Sequence, residues 1–386
     1  MLIPLNPHII LAPSSFKGSL TARDAAHAMA IGVRDVLPAA HVMEFPMADG
    51  GEGFVDVVHD FLGVTKRVSE VHGPLPGQRV QATWGLSADG HVAVIEIASA
   101  AGLGLVPEEK RNPQLTTTVG VGELIRAALE EGAETIYLGL GGSATIDGGA
   151  GMAEALGVRL LDEHGRPILQ GAQGLPFLRR VDCSSIDERI AQVSIIAVCD
   201  VRNPLTGPDG SAMVFGRQKG ARPEDLSALD DGLRRLGERI ESDCHISVDR
   251  LPGAGAAGGL GAGVAGFLKG RLERGIDVVM AISGFRERIA GADLVLTGEG
   301  RLDRQTKFGK VIAGVVECSR HAGIPVAAVV GTIEDPVEEV IRSFGLSDLE
   351  RLVNSETSFE QAVSEAFPLL RCRTSDLLHR LINTRA

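Results

Sequence analysis

Three textures follow one another repeatedly along this chain: a short apolar run, a glycine-rich loop, and a stretch with helical periodicity. His8–Ala12 is apolar, Pro13–Gly18 is loop, and Thr21–Val36 puts Ala22, Ala25, Ala26, Met29, Val33 and Val36 on one face at the 3.6-residue period. Thr21 with Asp24 predicts the helix start, and Pro38 stops it. His41–Phe45, the loop Pro46–Gly53 and a helix to about Phe61 repeat the pattern. A helix over Thr118–Glu131 precedes a strand at Thr135–Leu138, which runs into the loop Gly139–Gly149. Val193–Val198 ends in Cys199–Pro204, and Asp293–Leu296 leads through Thr297–Asp303 into a helix ending near His321. Gly323 caps that helix, Pro325–Val330 is a sixth strand, and Leu349–Val353 a seventh. Short apolar strands alternating with helices predict a mostly parallel, doubly wound α/β sheet buried on both faces.

A different texture interrupts the series. Val64–Val71, Arg79–Trp84 and His91–Ile97 read as strands joined by turns, which predicts an inserted antiparallel piece. The segments near 155–190 and 205–284 are expected to join it in a second α/β domain. With 386 residues, two domains fit the length.

Composition narrows the function. Glycine is in excess (49 residues) without a Gly-X-Y period, so the excess belongs to loops. One Trp, one Tyr and a net charge of −12 argue against a nucleic-acid polymer as partner. Five scattered cysteines without a C-x-x-C pair read as free thiols of a cytoplasmic protein. There is no basic leader followed by an apolar run, and no stretch long enough to cross a membrane, so no membrane partner is expected.

Ligands of open α/β sheets bind outside the carboxyl ends of the strands, and five loops there combine glycine with Asp, Glu, Lys or Ser. Lys17 beside Ser14 and Ser15 can neutralise a phosphate or carboxylate, or can be a surface lysine before a helix. Asp49 and Glu52 flank glycines at a helix start, where dipole stabilisation alone can account for them. Gly141, Gly142 and Ser143 form the best phosphate cradle in the chain. Asp147 is either a helix N-terminal acid or a magnesium ligand. Asp200 follows a buried strand, where an unpaired carboxylate costs several kcal/mol. Glu299, Arg301 and Asp303 can bind metal and phosphate, or pair among themselves. Lys219 offers a further cation. No Walker A loop is present, since Lys310 is followed by Val311. Gly139-Leu-Gly-Gly-Ser-Ala144 follows a strand with Asp162 some 20 residues later, so an NAD(P)-dependent oxidoreductase is the alternative by pattern.

Several long segments resemble the type-1 glycerate kinases. These are Ala12–Leu20, Pro46–Gly53, Gly141–Met152, Cys199–Pro208, Val214–Gly220, Gly253–Gly261 and Leu296–Thr306, in order over nearly the whole chain. The resemblance implies ATP-dependent phosphorylation of D-glycerate with Mg2+, many bacterial members making 2-phosphoglycerate. It also implies a flavodoxin-like domain plus a second, inserted α/β domain. The chain departs from the family at Ser14, where Asp is usual, at Ile146, where Asn is usual, and at Arg217, where Pro is common.

The domains are expected at 1–66 and 285–386, with 112–145 and 190–202 joined to them, and at 67–284 for the rest, the active site lying in the cleft between them. Asp200, Lys17 and Asp49 are the expected catalytic residues. Gly141, Gly142, Ser143, Lys219, Glu299 and Arg301 are expected to hold ATP phosphates, and Ser15, Lys17 and Asn203 the substrate. Asp147, Asp200 and Asp303 are candidate metal ligands. Oligomeric state is not legible.

Overall fold

The computed structural model describes residues 4, 6–48, 54–302 and 311–383. The chain divides into two compact units, Met1–Asp49 with Arg274–Ala386, and Gly50–Glu273. The first unit opens with β1 (His8–Pro13) and β2 (His41–Glu44). The second carries β3 (Thr65–His72), β4 (Arg79–Leu86), β5 (Val92–Glu96), β6 (Thr135–Gly139), β7 (Arg159–Leu161), β8 (Arg180–Asp182), β9 (Ser194–Val198) and β10 (Arg271–Glu273). The chain then returns to the first unit with β11 (Leu294–Leu302), β12 (Val326–Ile333) and β13 (Asp348–Arg351).

The first unit is built on a five-stranded sheet in the order β13-β12-β11-β1-β2, every pair parallel. Counting its own strands one to five, the order is 2-1-3-4-5, the flavodoxin-like winding that was expected. Ile9, Ile10, Leu11 and Ala12 are all fully buried, so β1 is apolar on both faces, as a central parallel strand must be. The helix Ala22–Val36 begins where the capping pattern predicts: Thr21 Oγ1 accepts from the Asp24 N–H at 3.1 Å.

The second unit carries a six-stranded mixed sheet, β10-β9-β6-β5-β4-β3, and a two-stranded antiparallel sheet, β7-β8. β3, β4 and β5 pair antiparallel, as the interrupting texture predicted, while β5, β6, β9 and β10 run parallel. Here the expected boundaries need correction. Residues 54–66, 112–145 and 190–202 belong to the second unit, and 274–284 to the first. Glu96 pairs with Gly139, and Gly139 with Val198, so β6 and β9 extend the sheet begun by the antiparallel strands. A buried apolar strand joins whichever sheet offers a matching neighbour, and nothing in its own residues says which.

Candidate active-site loops

In the first unit the strand order reverses between β1 and β11, and the loops at their carboxyl ends lie side by side. The Ser14 N–H donates to Gly298 O at 2.8 Å. A Cβ at Gly300 would stand 3.1 Å from the Lys17 nitrogen, so the small residue lets the two backbones approach. The Ser19 and Leu20 N–H groups both donate to Phe16 O, and this tight turn leaves Lys17 exposed, with Ser14 and Ser15 half-buried. Glu299 is 6% exposed and lies within β11, opposite Val330. Arg301 forms an ion pair with Glu334, a partner outside the acid–base–acid run considered above. Asp49 and Asp303 lie outside the described residues.

In the second unit the loops following β6 and β9 leave adjacent parallel strands, and the Leu140 N–H donates to Val198 O at 3.0 Å. Ser143 forms a bridge with Gly102 and is 7% exposed. The Lys219 ammonium donates to Ser143 Oγ at 2.6 Å and to the Thr145 carbonyl at 2.9 Å. At 3% exposure, Lys219 has its amine pushed down to about 7 by burial, a shift that the charge of Asp147 partly opposes. The structure thus joins Ser143 and Lys219, 76 residues apart, into one buried polar pair.

Asp147 is fully buried, and its carboxylate accepts four hydrogen bonds: from Thr118 N and Thr118 Oγ1 at 2.8 Å each, and from Gly149 N and Gly151 N at 3.2 Å each. Thr118 Oγ1 in turn accepts from Met152 N at 2.9 Å. Asp147 therefore ties the starts of the helices Val119–Glu130 and Ala150–Ala155 together. Four donors occupy the carboxylate and it is fully buried, the arrangement of a helix-start acid, which is one of the two roles considered for it. Burial pushes its carboxyl up against the pull of the four donors. Glu154, on the second helix, is pushed up to about 7, first by burial and then by Asp147.

Asp200 follows β9 and is half-buried. The neighbouring Cys199 thiol is pushed up to about 12 by burial and then by the charge of Asp200. Asn203 is partly committed to its own loop, since its Nδ2 donates to Asp209 O at 2.7 Å. Among the described residues no cluster of three or more His, Cys, Asp or Glu stands ready for a metal, and no helix is long and apolar enough to cross a membrane.

One contributor escaped the sequence reading, and a glycine segment that it had singled out without a role joins the same site. Thr116 Oγ1 donates to Ala144 O at 2.9 Å, so the run Thr116-Thr117-Thr118 braces the Ser143 loop; three consecutive threonines, all buried, were the available signal. The segment Gly253–Gly261 packs against the same loop. A Cβ at Gly258 (φ +75°) would meet Thr145 O at 1.8 Å, which leaves room for glycine alone.

The dinucleotide reading of Gly139–Ala144 does not survive. Ten residues separate β6 from the next helix, which spans just Ala150–Ala155, and β7 pairs antiparallel in a separate sheet. The Asp162 carboxylate accepts from the His164 and Arg166 N–H groups and from the Arg166 side chain. The strand that follows the helix Ala150–Ala155 therefore does not lie parallel beside β6, as the compact βαβ unit of a dinucleotide site requires.

The comparisons with known proteins agree with this geometry. The model of the Glycerate kinase family matches residues 9–382. A glycerate kinase of Halalkalibacterium halodurans is 47% identical over 94% of this chain and 95% of its own. A glycerate 2-kinase of Escherichia coli K12 is 42% identical over 95% of this chain and 96% of its own. A crystal structure assigned to a glycerate kinase 2 from Salmonella typhimurium LT2 superposes with a TM-score of 0.86 at 42% identity, covering 97% of this chain and 98% of that one. None of these relatives supports an oxidoreductase. With its parallel flavodoxin-like sheet, its glycine loops and its full-length likeness to these proteins, the chain belongs to the glycerate kinase family.

Proposed function

We propose that this protein transfers the γ-phosphoryl group of ATP to a hydroxyl of D-glycerate, making 2-phosphoglycerate, with magnesium and in the cytoplasm. The observation that carries this reading is the 42% identity to a glycerate 2-kinase over nearly the full length of both chains. Phosphoryl transfer asks a protein for positioning and charge neutralisation more than for covalent chemistry.

In this reading Lys219 and Ser143, with the Gly141 and Gly142 amides, hold phosphate oxygens. An anion placed there supplies the countercharge that burial denies the Lys219 ammonium. Lys17 and Ser15 bind the substrate carboxylate, Asn203 orients the substrate, and Arg301 and Glu299 belong to the nucleotide side. Asp200 accepts the hydroxyl proton or holds magnesium; Asp49 and Asp303 stay in the proposal as acid partners. Magnesium in such sites is held by one or two carboxylates together with substrate phosphates, so a single half-buried carboxylate fits the need and a cage is not required. When bound, the ion offsets phosphate charge; the residues position, hold and exclude water.

The test is glycerate-dependent ADP formation with phosphorus NMR of the product. A 2-phosphoglycerate signal supports the proposal. The 3-phospho isomer would overturn the regiochemistry, and ATP turnover indifferent to glycerate would overturn the substrate.

A further inference from the structure

We propose that Cys183 and Cys244 are a redox-modification site, forming a reversible disulfide within the chain when the protein meets a hydroperoxide. Their sulfurs lie 3.3 Å apart although the residues are 61 positions apart in sequence. Both are half-buried, so a small oxidant can reach them. Among the described residues no other two cysteines make such a sulfur–sulfur contact, and Cys372 is exposed.

Hydrogen bonds on both sides set the pair. Cys183 follows β8, whose Val181 N–H donates to Asp243 Oδ2 at 2.7 Å, immediately before Cys244. Cys244 ends the helix Leu226–Cys244, and His245 closes that helix in the left-handed conformation (φ 61°), its N–H donating to Glu241 O at 3.1 Å. A strand and a helix end thus hold two thiols face to face. The sulfurs need to close by roughly 1.2 Å to reach the usual bond length of about 2.05 Å, a distance within side-chain rotation.

Either sulfur can donate toward the other across this contact, and attack by either one leads to the same bond. When Cys183 attacks the hydroperoxide, the proton it sheds passes to the departing oxygen. An S–O bond forms, the O–O bond breaks, and the departing oxygen leaves as water or an alcohol. Cys183 is oxidised by two electrons to the sulfenic acid and the hydroperoxide is reduced. Cys244 then attacks the Cys183 sulfur: the S–S bond forms, the S–O bond breaks, and the hydroxyl leaves as water with the Cys244 proton. A thiol reductant reverses the bond by exchange. None of this depends on the kinase assignment.

The test treats the full-length, pre-reduced protein with hydrogen peroxide, blocks remaining thiols by alkylation, and digests it without reductant for mass spectrometry. Because Cys372 is exposed to the reagents as well, the readout is the linked peptide rather than a thiol count. Expected are one peptide pair joining Cys183 to Cys244, two hydrogens lighter than its reduced parts, migration as a single chain on a non-reducing gel, and loss of the link with dithiothreitol. In Cys244→Ser the link disappears and a Cys183 sulfenic acid accumulates, trapped by dimedone. Cys183 and Cys244 both recovered alkylated after peroxide would overturn the proposal. So would over-oxidation of Cys183 in the unsubstituted protein, or a link between two chains.

Discussion

The two units bring candidate chemistry to strand ends by different physical routes. In the first, strand order reverses between β1 and β11, and Lys17 stands in solvent on a tight turn after β1. In the second, the parallel strands follow one another without reversal, and the polar groups are instead buried and bonded to one another: Lys219 to Ser143, Asp147 to four donors. An exposed cation costs little to keep and is weakened by solvent screening. A buried one is costly to keep but acts in a low dielectric, where its pull on an anion is far stronger. The second unit is therefore the preorganised half of the proposed machinery, and the first the adaptable half.

Substitutions can break or sharpen that contrast. The largest effect is expected at Asp200→Asn: turnover falls by about 10²–10⁴-fold, the range for a positioned proton acceptor, while circular dichroism and thermal midpoint hold. Turnover near that of the unsubstituted enzyme would remove Asp200 from the mechanism. Lys219→Met is expected to lower kcat/KM by about 10²–10³-fold, as loss of a buried electrostatic donor does. Lys17→Ala, by contrast, should raise the KM for glycerate by about tenfold with kcat little changed. If Lys17→Ala costs more kcat than Lys219→Met, the assignment of preorganised and adaptable halves is reversed.

Asp147→Asn tests the structural role directly. The amide presents one acceptor oxygen where four donors converge, so unfolding free energy should drop by about 2–4 kcal/mol in urea titrations. The magnesium concentration for half-maximal activity should stay put; a large shift in it would make Asp147 a magnesium ligand.

The smallest effect is in pH and stability. Glu154 is raised from 4.5 to about 7 in the folded chain, so the native state holds more protons than the unfolded one in that window and stability falls as pH rises through it. Lys219 is lowered from 10.5 to about 7, so above 7 the unfolded state holds more protons and stability climbs again toward 10.5. Together they predict a minimum near neutrality in denaturant midpoints measured from pH 5 to 9. Glu154→Gln should flatten the lower limb and Lys219→Met the upper one, each leaving the other limb in place.

Much of the fold was legible. The helix Ala22–Val36 followed from its apolar face and its Thr21 cap, and the flavodoxin-like winding of the first unit agrees with the resemblance carried by its loop motifs. The antiparallel texture of 64–97 was legible because two-residue alternation and turn residues are local signals. Less of the site could be read. Asp200 and Ser143 stand at strand ends as expected, but the role of Asp147 was undecided, since a helix-start acid and a ligand look alike in one dimension. The Cys183–Cys244 pair was invisible because the cysteine spacing suggested no contact.

What the chain's own residues determined, then, was where strands, turns and helices begin and end, because periodicity, capping and glycine placement act over a few residues. The tertiary structure alone decided that β6 and β9 join the second sheet, that Lys219 meets Ser143, and that the Thr118 N–H and hydroxyl reach Asp147. These are pairings between segments 29 to 76 residues apart, and they arise from competition among buried surfaces rather than from any residue's neighbours in sequence.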